Sequence, residues 1–439
     1  MFKKILIANR GEMALRLVRA AKGMGIDTVA IYSTADKNAL HVKLANQAIC
    51  VGGANPKDSY LNIENIISAA VLTQSDAIHP GYGFLAQNAQ FARLVEQNGL
   101  VFIGPNQETI NMLSNPVNAK DIMAQHGLPI VPGTDIIKSK KDGLYKIEKI
   151  GGFPVLLKPC ISGFGGIQRA HDQSSFISAL KSFEDTSVYL EKIIENPKHI
   201  EFSVIADNQK NYIHLYERDC SIQNNYKKII AEAPCRTLKE EVRQKMIKDV
   251  INAARSIDYI NTCNFEFILD QDQNYYFIKL NTQIQPEHTI TEMITGIDIA
   301  KEQIRIAAGQ PLNVKQEDVK PVGYSIECSI NALNPNNGFL RSSGKIENLI
   351  VPSGFGVRMD TELYNGLNVE KFYDPMVGKI IVHGKSRLEC IRKMRAALEE
   401  LTIEGIDTDA NLHYNIFHNI KYVEGNFDTS FFANFLEEQ

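Results

Sequence analysis

The stretch Lys4-Ile5-Leu6-Ile7-Ala8-Asn9-Arg10-Gly11-Glu12 sets the fold class. Residues 4–8 are an apolar run of strand length, and residues 12–24 follow with the spacing of an amphipathic helix. A second apolar run stands at 28–32, and the strand signal recurs at 48–51, 76–79 and 101–103. Helical patterns at 63–72 and 88–97 separate these runs. Strand–helix alternation at this spacing predicts right-handed βαβ units and a mostly parallel sheet. Asn9-Arg10-Gly11-Glu12 lies where such sheets meet ligands, yet it is not a GxGxxG fingerprint, so no dinucleotide site is expected there.

Beyond this region the pattern changes. A helical stretch runs from Leu113 to His126, and a strand at 155–158 precedes Ser162-Gly163-Phe164-Gly165-Gly166. Strands are expected at 188–192, 199–206, 211–217, 263–269 and 275–280. A last part combines strands at 324–330, 345–350 and 378–383 with a helix at 388–401. Three domains follow, over residues 1–112, 113–322 and 323–439. That division suits 439 residues, too many for one core.

Charge excludes several functions. With 47 Lys+Arg against 51 Asp+Glu the net charge is −4, which gives no basic field for nucleic acid and no polybasic membrane patch. No stretch reaches the roughly 18 apolar residues of a membrane span. Arg10 and Gly11-Glu12 interrupt the N-terminus too early for a signal peptide. Seven cysteines are scattered singly without a CxxC pair, as expected of reduced thiols in a cytoplasmic protein.

Six segments then carry a resemblance. They are Ile7-Ala8-Asn9-Arg10-Gly11-Glu12, Ala77-Ile78-His79-Pro80-Gly81-Tyr82-Gly83-Phe84-Leu85, Glu217-Arg218-Asp219-Cys220-Ser221, Pro286-Glu287-His288-Thr289-Ile290-Thr291-Glu292-Met293-Ile294-Thr295-Gly296, Ile304-Arg305-Ile306-Ala307-Ala308-Gly309-Gln310-Pro311-Leu312 and Tyr373-Asp374-Pro375-Met376-Val377-Gly378-Lys379. In order and over nearly the whole chain, they resemble the biotin carboxylase family of ATP-grasp ligases. The resemblance implies an α/β protein in three parts. These are a Rossmann-like pre-ATP-grasp domain, an ATP-grasp domain with a mobile lid at about 130–192, and a C-terminal α+β domain. It implies a reaction joining bicarbonate and ATP into carboxyphosphate, whose carboxyl group passes to N1 of biotin. Implied partners are a biotin carboxyl carrier protein and a carboxyltransferase, as in acetyl-CoA carboxylase and fatty-acid synthesis. A homodimer, or pairing with an intact paralogue, is also implied, the helix carrying Arg16 and Arg19 lying where family members pair.

Site residues carry over by position. Glu191, Lys192 and Ile194 fall in the adenine hinge, Lys158 matches the lysine for the α- and β-phosphates, and His199 and Gln223 match further nucleotide residues. Gly165 and Gly166 belong to the phosphate lid. Glu266 and Asn281 match ligands of Mg²⁺, with Glu266 also facing the nucleotide. Glu287 is the expected general base, with Lys228 and Gln285 beside it.

Other positions depart from the family. Its Gly-Asp-Lys reads Ser114-Asn115-Pro116, and proline offers neither charge nor N–H. The lid keeps three glycines, with Phe164 and Ile167 intruding. A metal carboxylate has become Lys279, placed to pair with Glu266 as a built-in cation. Two arginines have become Gln283 and Ser329, and Ser-Glu has become Ala86-Gln87. The segment before Lys228, Asn224-Asn225-Tyr226-Lys227, lacks two arginines and a histidine of the family. A preorganised cation is worth about 3–4 kcal/mol in the transition state, whereas a general base gives ~10²–10⁴-fold. Lost or severely reduced carboxylase activity is therefore expected. A functional biotin carboxylase subunit, or an ATP-grasp ligase with altered substrate, are the alternatives, and ATP and Mg²⁺ binding are in question with them.

Overall fold

The computed structural model describes residues 1–160, 166–183 and 186–438. Strand β1 (Lys4–Ile7) is followed by helix α1 (Gly11–Gly23) and β2 (Asp27–Ser33). Then come β3 (Gln47–Gly52), helix α2 (Ile63–Leu72), β4 (Ala77–His79), helix α3 (Ala89–Gln97) and β5 (Val101–Phe102). The sheet order is β3-β2-β1-β4-β5, every pair parallel. Helices cover both faces of β1, which is why it reads as an unbroken apolar run. At its C-terminal end Asn9 donates from Nδ2 to Pro80 O at 2.6 Å and Tyr82 O at 2.7 Å, tying two strand-end turns together. Gly81 sits there at φ +64°, and a Cβ would come within 2.8 Å of Asn9 Nδ2 and 2.9 Å of Met13 Cγ.

The expected helix from Leu113 to His126 is broken in two. Helix Gln107–Ser114 ends, and α4 (Pro116–Gln125) starts afresh. Asn115 Oδ1 accepts from Val117 N at 2.9 Å and Asn118 N at 3.3 Å, and Pro116 takes the first turn.

A small antiparallel sheet follows, of β6 (Val155–Pro159), β7 (Gln168–Ala170) and β8 (Val188–Lys192), in order β7-β6-β8. Ile147, Val155, Leu157, Phe176 and Leu190 give it a core of its own.

The largest sheet is antiparallel and has eight strands: β9 (Lys198–Ala206), β10 (Tyr212–Asn224), β11 (Lys227–Ala233), β12 (Asn261–Leu269), β13 (Tyr275–Asn281), β14 (Tyr324–Asn331), β15 (Val357–Thr361) and β16 (Met376–Gly384). Their order is β13-β12-β9-β10-β11-β14-β16-β15. The sheet runs unbroken across residue 322, because β11 pairs with β14 from Ile230↔Cys328 to Ala233↔Ser325. Phe202, Phe265, Phe267 and Phe277 fill one end against Met246 and Val250. Ile326, Cys328, Ile380 and Val382 fill the other against Cys390, Ile391 and Met394 of α6 (Arg387–Glu400), with α5 (His288–Thr295) packed beside the middle strands. The single strand expected at 345–350 is two, Gly344–Lys345 and Asn348–Ile350, paired to Asn368–Val369 and Thr402–Glu404 respectively. Ile346 between them is fully buried, so the chain crosses from one partner to the other there. Among the described residues no helix is long and apolar enough to cross a membrane.

Candidate functional site

Strand register assembles a buried charge cluster. Glu201 of β9 lies opposite Arg218 on one side and Glu266 of β12 on the other. His199, two residues before Glu201, shares its face. Arg218 is fully buried and donates to Glu201 Oε2 (2.8 Å), Asn264 Oδ1 (2.8 Å), Ser203 Oγ (2.6 Å) and Thr291 Oγ1 (2.9 Å). Lys228 Nζ contacts Glu201 Oε1 and stands 3.6 Å from both Glu266 Oε1 and Glu287 Oε2. His199 Nε2 is 3.4 Å from a carboxylate oxygen of each of Glu201 and Glu266, aligned for a hydrogen bond to neither. Three carboxylates thus face three basic groups.

That balance fixes the protonation states. Burial pushes the Glu266 carboxyl up, but Lys228 and His199 outweigh it and hold the group at about 2. Burial pushes His199 down, and Glu201 and Glu266 beside it raise it to about 9. Lys228 stays charged because Glu201, Glu287 and Glu266 overcome its burial.

The expected nucleotide residues gather around the small sheet. Lys158 Nζ donates to Glu191 Oε2 at 2.6 Å, and the other oxygen of that buried carboxylate is taken by Lys120 Nζ from α4. Lys192 turns away, capping Gly151 O (3.0 Å), Gly152 O (2.9 Å) and Phe153 O (3.3 Å). Ile194 is half-buried just beyond β8. Gln223 donates to Cys220 O at 2.7 Å and pairs with His199 Nδ1 at 2.7 Å, which joins the hinge side to the charge cluster. Gly166 has φ +65°, and none of the described residues comes within 4 Å of where its Cβ would stand, while Gly165 lies outside the described residues, as do Phe164 and the rest of 161–165.

The opposite end holds Glu287 and Gln285, both buried. Glu287 Oε2 and Gln285 Nε2 have no hydrogen-bond partner among the described residues. A buried acceptor and a buried donor, two residues apart in one loop and both without a hydrogen bond, suit a small ligand bearing both an O–H and a carboxylate oxygen. Gln283 does not point a charge here: its Oε1 accepts from Gly83 N at 3.1 Å. Gln87 Oε1 accepts from Thr282 N at 3.1 Å and from Thr282 Oγ1 at 3.3 Å. These neutral substitutions stitch the first sheet's loop to the loop carrying Glu287. Ser329 is buried opposite Lys379 in register, and Lys379 Nζ donates to Pro286 O at 2.8 Å, next to Glu287.

Asn281 Nδ2 donates to Glu266 Oε1, so its amide oxygen is left for another partner. His199, Glu201 and Glu266 also bring ligand atoms within 4.8 Å of one another. Glu201, however, is committed to Arg218 and Lys228. Glu266 and Asn281 remain as hard oxygen donors of the kind that would hold Mg²⁺. The expected Lys279–Glu266 pair does not form. The two are opposite in register, yet Lys279 is exposed and closes no ion pair among the described residues. Lys228 and His199 already meet Glu266, so desolvating a third cation has little to gain. Lys279 acts instead on Lys158: burial, opposed by Glu266 and helped by Lys279, brings that group down to about 8.

Three residues of the site escaped the sequence reading. Glu201 stands in none of the family-like segments, Arg218 stands in one without any sign of its partners, and Lys120 lies at no position the resemblance marks. For Lys120 the signal was present, a lysine one helical turn after Pro116.

Residues 1–110 match the family model "Biotin carboxylase, N-terminal domain". Residues 116–315 match "Carbamoyl-phosphate synthase L chain, ATP binding domain", and 327–434 match "Biotin carboxylase C-terminal domain". The chain is 45% identical to biotin carboxylase 1 of Bacillus subtilis over 99% of both chains. A solved biotin carboxylase domain dimer of Hydrogenobacter thermophilus 2-oxoglutarate carboxylase, with MgADP, ADP and bicarbonate, superposes with TM-score 0.95. It is 44% identical and the match covers 99% of this chain and 98% of that one. A Campylobacter jejuni biotin carboxylase–nucleotide complex gives TM-score 0.95 at 40% identity, covering 99% of each chain. The fold is the three-domain one: a parallel N-terminal sheet, an ATP-grasp domain and a C-terminal domain. Likeness at this level from end to end means that the chain belongs to the biotin carboxylase family.

Proposed function

We propose that the chain is a working biotin carboxylase, using ATP and bicarbonate to carboxylate biotin held on a carrier protein. One observation carries this reading. Glu287 stands beside Lys228 in a charge-balanced buried cluster, with its Oε2 and Gln285 Nε2 left without hydrogen-bond partners among the described residues. Glu287 takes the proton from bicarbonate as an oxygen of that anion attacks the γ-phosphorus and the bond to the β–γ bridging oxygen breaks. Lys228, 3.6 Å from Glu287 Oε2, faces that carboxylate with its positive charge. Carboxyphosphate then gives its carboxyl group to N1 of biotin, and the departing phosphate takes the N1 proton. Glu266 and Asn281 would hold Mg²⁺, which when bound would supply positive charge to the phosphates. Lys158 and the hinge around Glu191, Lys192 and Ile194 hold the nucleotide.

The lost activity expected from Pro116, Lys279, Gln283 and Ser329 finds no support. Full-length relatives at 43–45% identity are proteins named biotin carboxylases. The physical reason is that charge at single sequence positions does not fix the local charge of a folded site. The structure instead places Lys120, Lys228, Arg218 and Lys379 around the same carboxylates and loops. An acetyl-CoA carboxylase role is not singled out, since a 2-oxoglutarate carboxylase small subunit is as similar, at 44% identity. A carrier protein and a carboxyltransferase remain the proposed partners. For a dimer, Arg16 is spent on Glu292 (2.8 Å) and Asp298 (2.6 Å) within the chain, which leaves the exposed Arg19 and Phe355 for a second copy.

The test is bicarbonate-dependent ADP formation by the purified chain with Mg-ATP, with and without free biotin. Stimulation by biotin is expected. ADP formation indifferent to biotin favours the altered-substrate ligase, and none at all returns the degenerate reading.

A further inference from the structure

Lysine is rarely buried without compensation, and here two share one partner. Lys120 is 6% exposed and Glu191 1%. Both ammoniums converge on the same carboxylate, Lys158 on Oε2 at 2.6 Å and Lys120 on Oε1. Among the described residues neither closes an ion pair with any other acid. Two cations against one anion leave the hinge one negative charge short. Burial and Lys158 both press Lys120 toward neutrality, which Asp121 opposes and an added anion would relieve.

The helix end itself cannot serve that anion. Pro116 has no N–H, and Asn115 Oδ1 already occupies the N–H groups of Val117 and Asn118. Four residues on, Lys120 projects from the same face as Pro116, about 6 Å along the axis. A lysine stem spans that distance.

We propose that Lys120 is a phosphate-binding residue of the nucleotide site, joining Lys158 on the α- and β-phosphates and replacing the cation absent at Pro116. This rests on the nucleotide-binding part of the function proposed above. Without nucleotide both lysines rest on Glu191, and a diphosphate draws Lys120 off to itself while Lys158 stays shared. The bland alternative is a strut, with Lys120 merely fastening α4 to β8.

Calorimetric titration of the full chain with ADP and with adenosine, both without Mg²⁺, separates the two. Lys120→Met is expected to weaken ADP at least tenfold, which is about 1.4 kcal/mol, and to leave adenosine within about twofold. Lys120→Gln keeps a donor for Glu191, so it protects the fold and reads the same loss should the methionine variant misfold. Adding Pro116→Lys to either variant is expected to restore ADP affinity. Equal weakening of ADP and adenosine supports the strut and overturns the proposal, as does unchanged ADP affinity. If the unmodified chain binds no ADP, the proposal falls together with the proposed function. If it binds ADP and the variants bind it equally well, this proposal falls alone.

Discussion

Replacing Lys228 with methionine removes the cation common to three carboxylates. Its Nζ contacts Glu201 and stands 3.6 Å from Glu266 and Glu287. At an effective dielectric near 20, each 3.6 Å contact is worth roughly 5 kcal/mol before the desolvation of the lysine is set against it. The cluster need not bear that loss, because a carboxylate can take a proton instead. Bringing a carboxyl of ordinary pKa near 4.5 to its neutral form costs about 3 kcal/mol at pH 7 and under ~1 kcal/mol at pH 5. The destabilisation of Lys228→Met is therefore capped at about 3 kcal/mol at pH 7 and shrinks as pH falls. In the parent protein Glu266 is held at about 2, so its contribution is complete above pH 4.5 and lost only below. In the variant its pKa rises above 4.5, so its contribution is present at low pH and lost as pH rises. Between pH 7 and 5 the parent curve is thus flat from this group while the variant gains. Urea midpoints at both pH values, compared between variant and parent, measure the difference. A loss equal at the two pH values to within about 0.5 kcal/mol, or below about 1 kcal/mol at pH 7, refutes the reasoning.

Glu287→Gln should lower bicarbonate-dependent ADP formation by ~10²–10⁴-fold while ADP affinity, by calorimetry, holds within about threefold. His199, raised to about 9, contributes stability that is complete below pH 6.5 and lost as pH rises through 9. At most about 3 kcal/mol is involved, and His199→Asn should flatten that part of the urea-midpoint curve. Gly81→Ala combines left-handed backbone with a Cβ 2.8 Å from Asn9 Nδ2, so a loss of about 1–3 kcal/mol is expected in chemical denaturation.

Local patterning made the first sheet readable: Lys4–Ile7, Asp27–Ser33 and Ala77–His79 are buried on both faces and show as apolar runs. The junction of β11 with β14 was not readable, because Ile230 and Cys328 lie 98 residues apart and nothing local announces their pairing. Within the site, Glu287, Lys228 and Glu266 were legible through the family's segments, and they do converge. Lys279 misled because register puts it opposite Glu266, while which cation wins a buried carboxylate depends on strands elsewhere in the sequence. Lys120 was invisible to a position-by-position comparison, since a helix lets a charge move one turn and still reach the same place.

The unbroken eight-stranded sheet also bears on how this protein can be taken apart. Severing the chain near residue 322 would strip β14 from β11 and bare the backbone N–H and C=O groups of Ile230–Ala233 along a hydrophobic edge, a template for aggregation. The central and C-terminal portions are thus one inheritance unit: recombination between homologues should tolerate crossovers before Lys198 far better than within β9–β16. The three-stranded unit, with its private core, is the piece that grafting experiments can exchange.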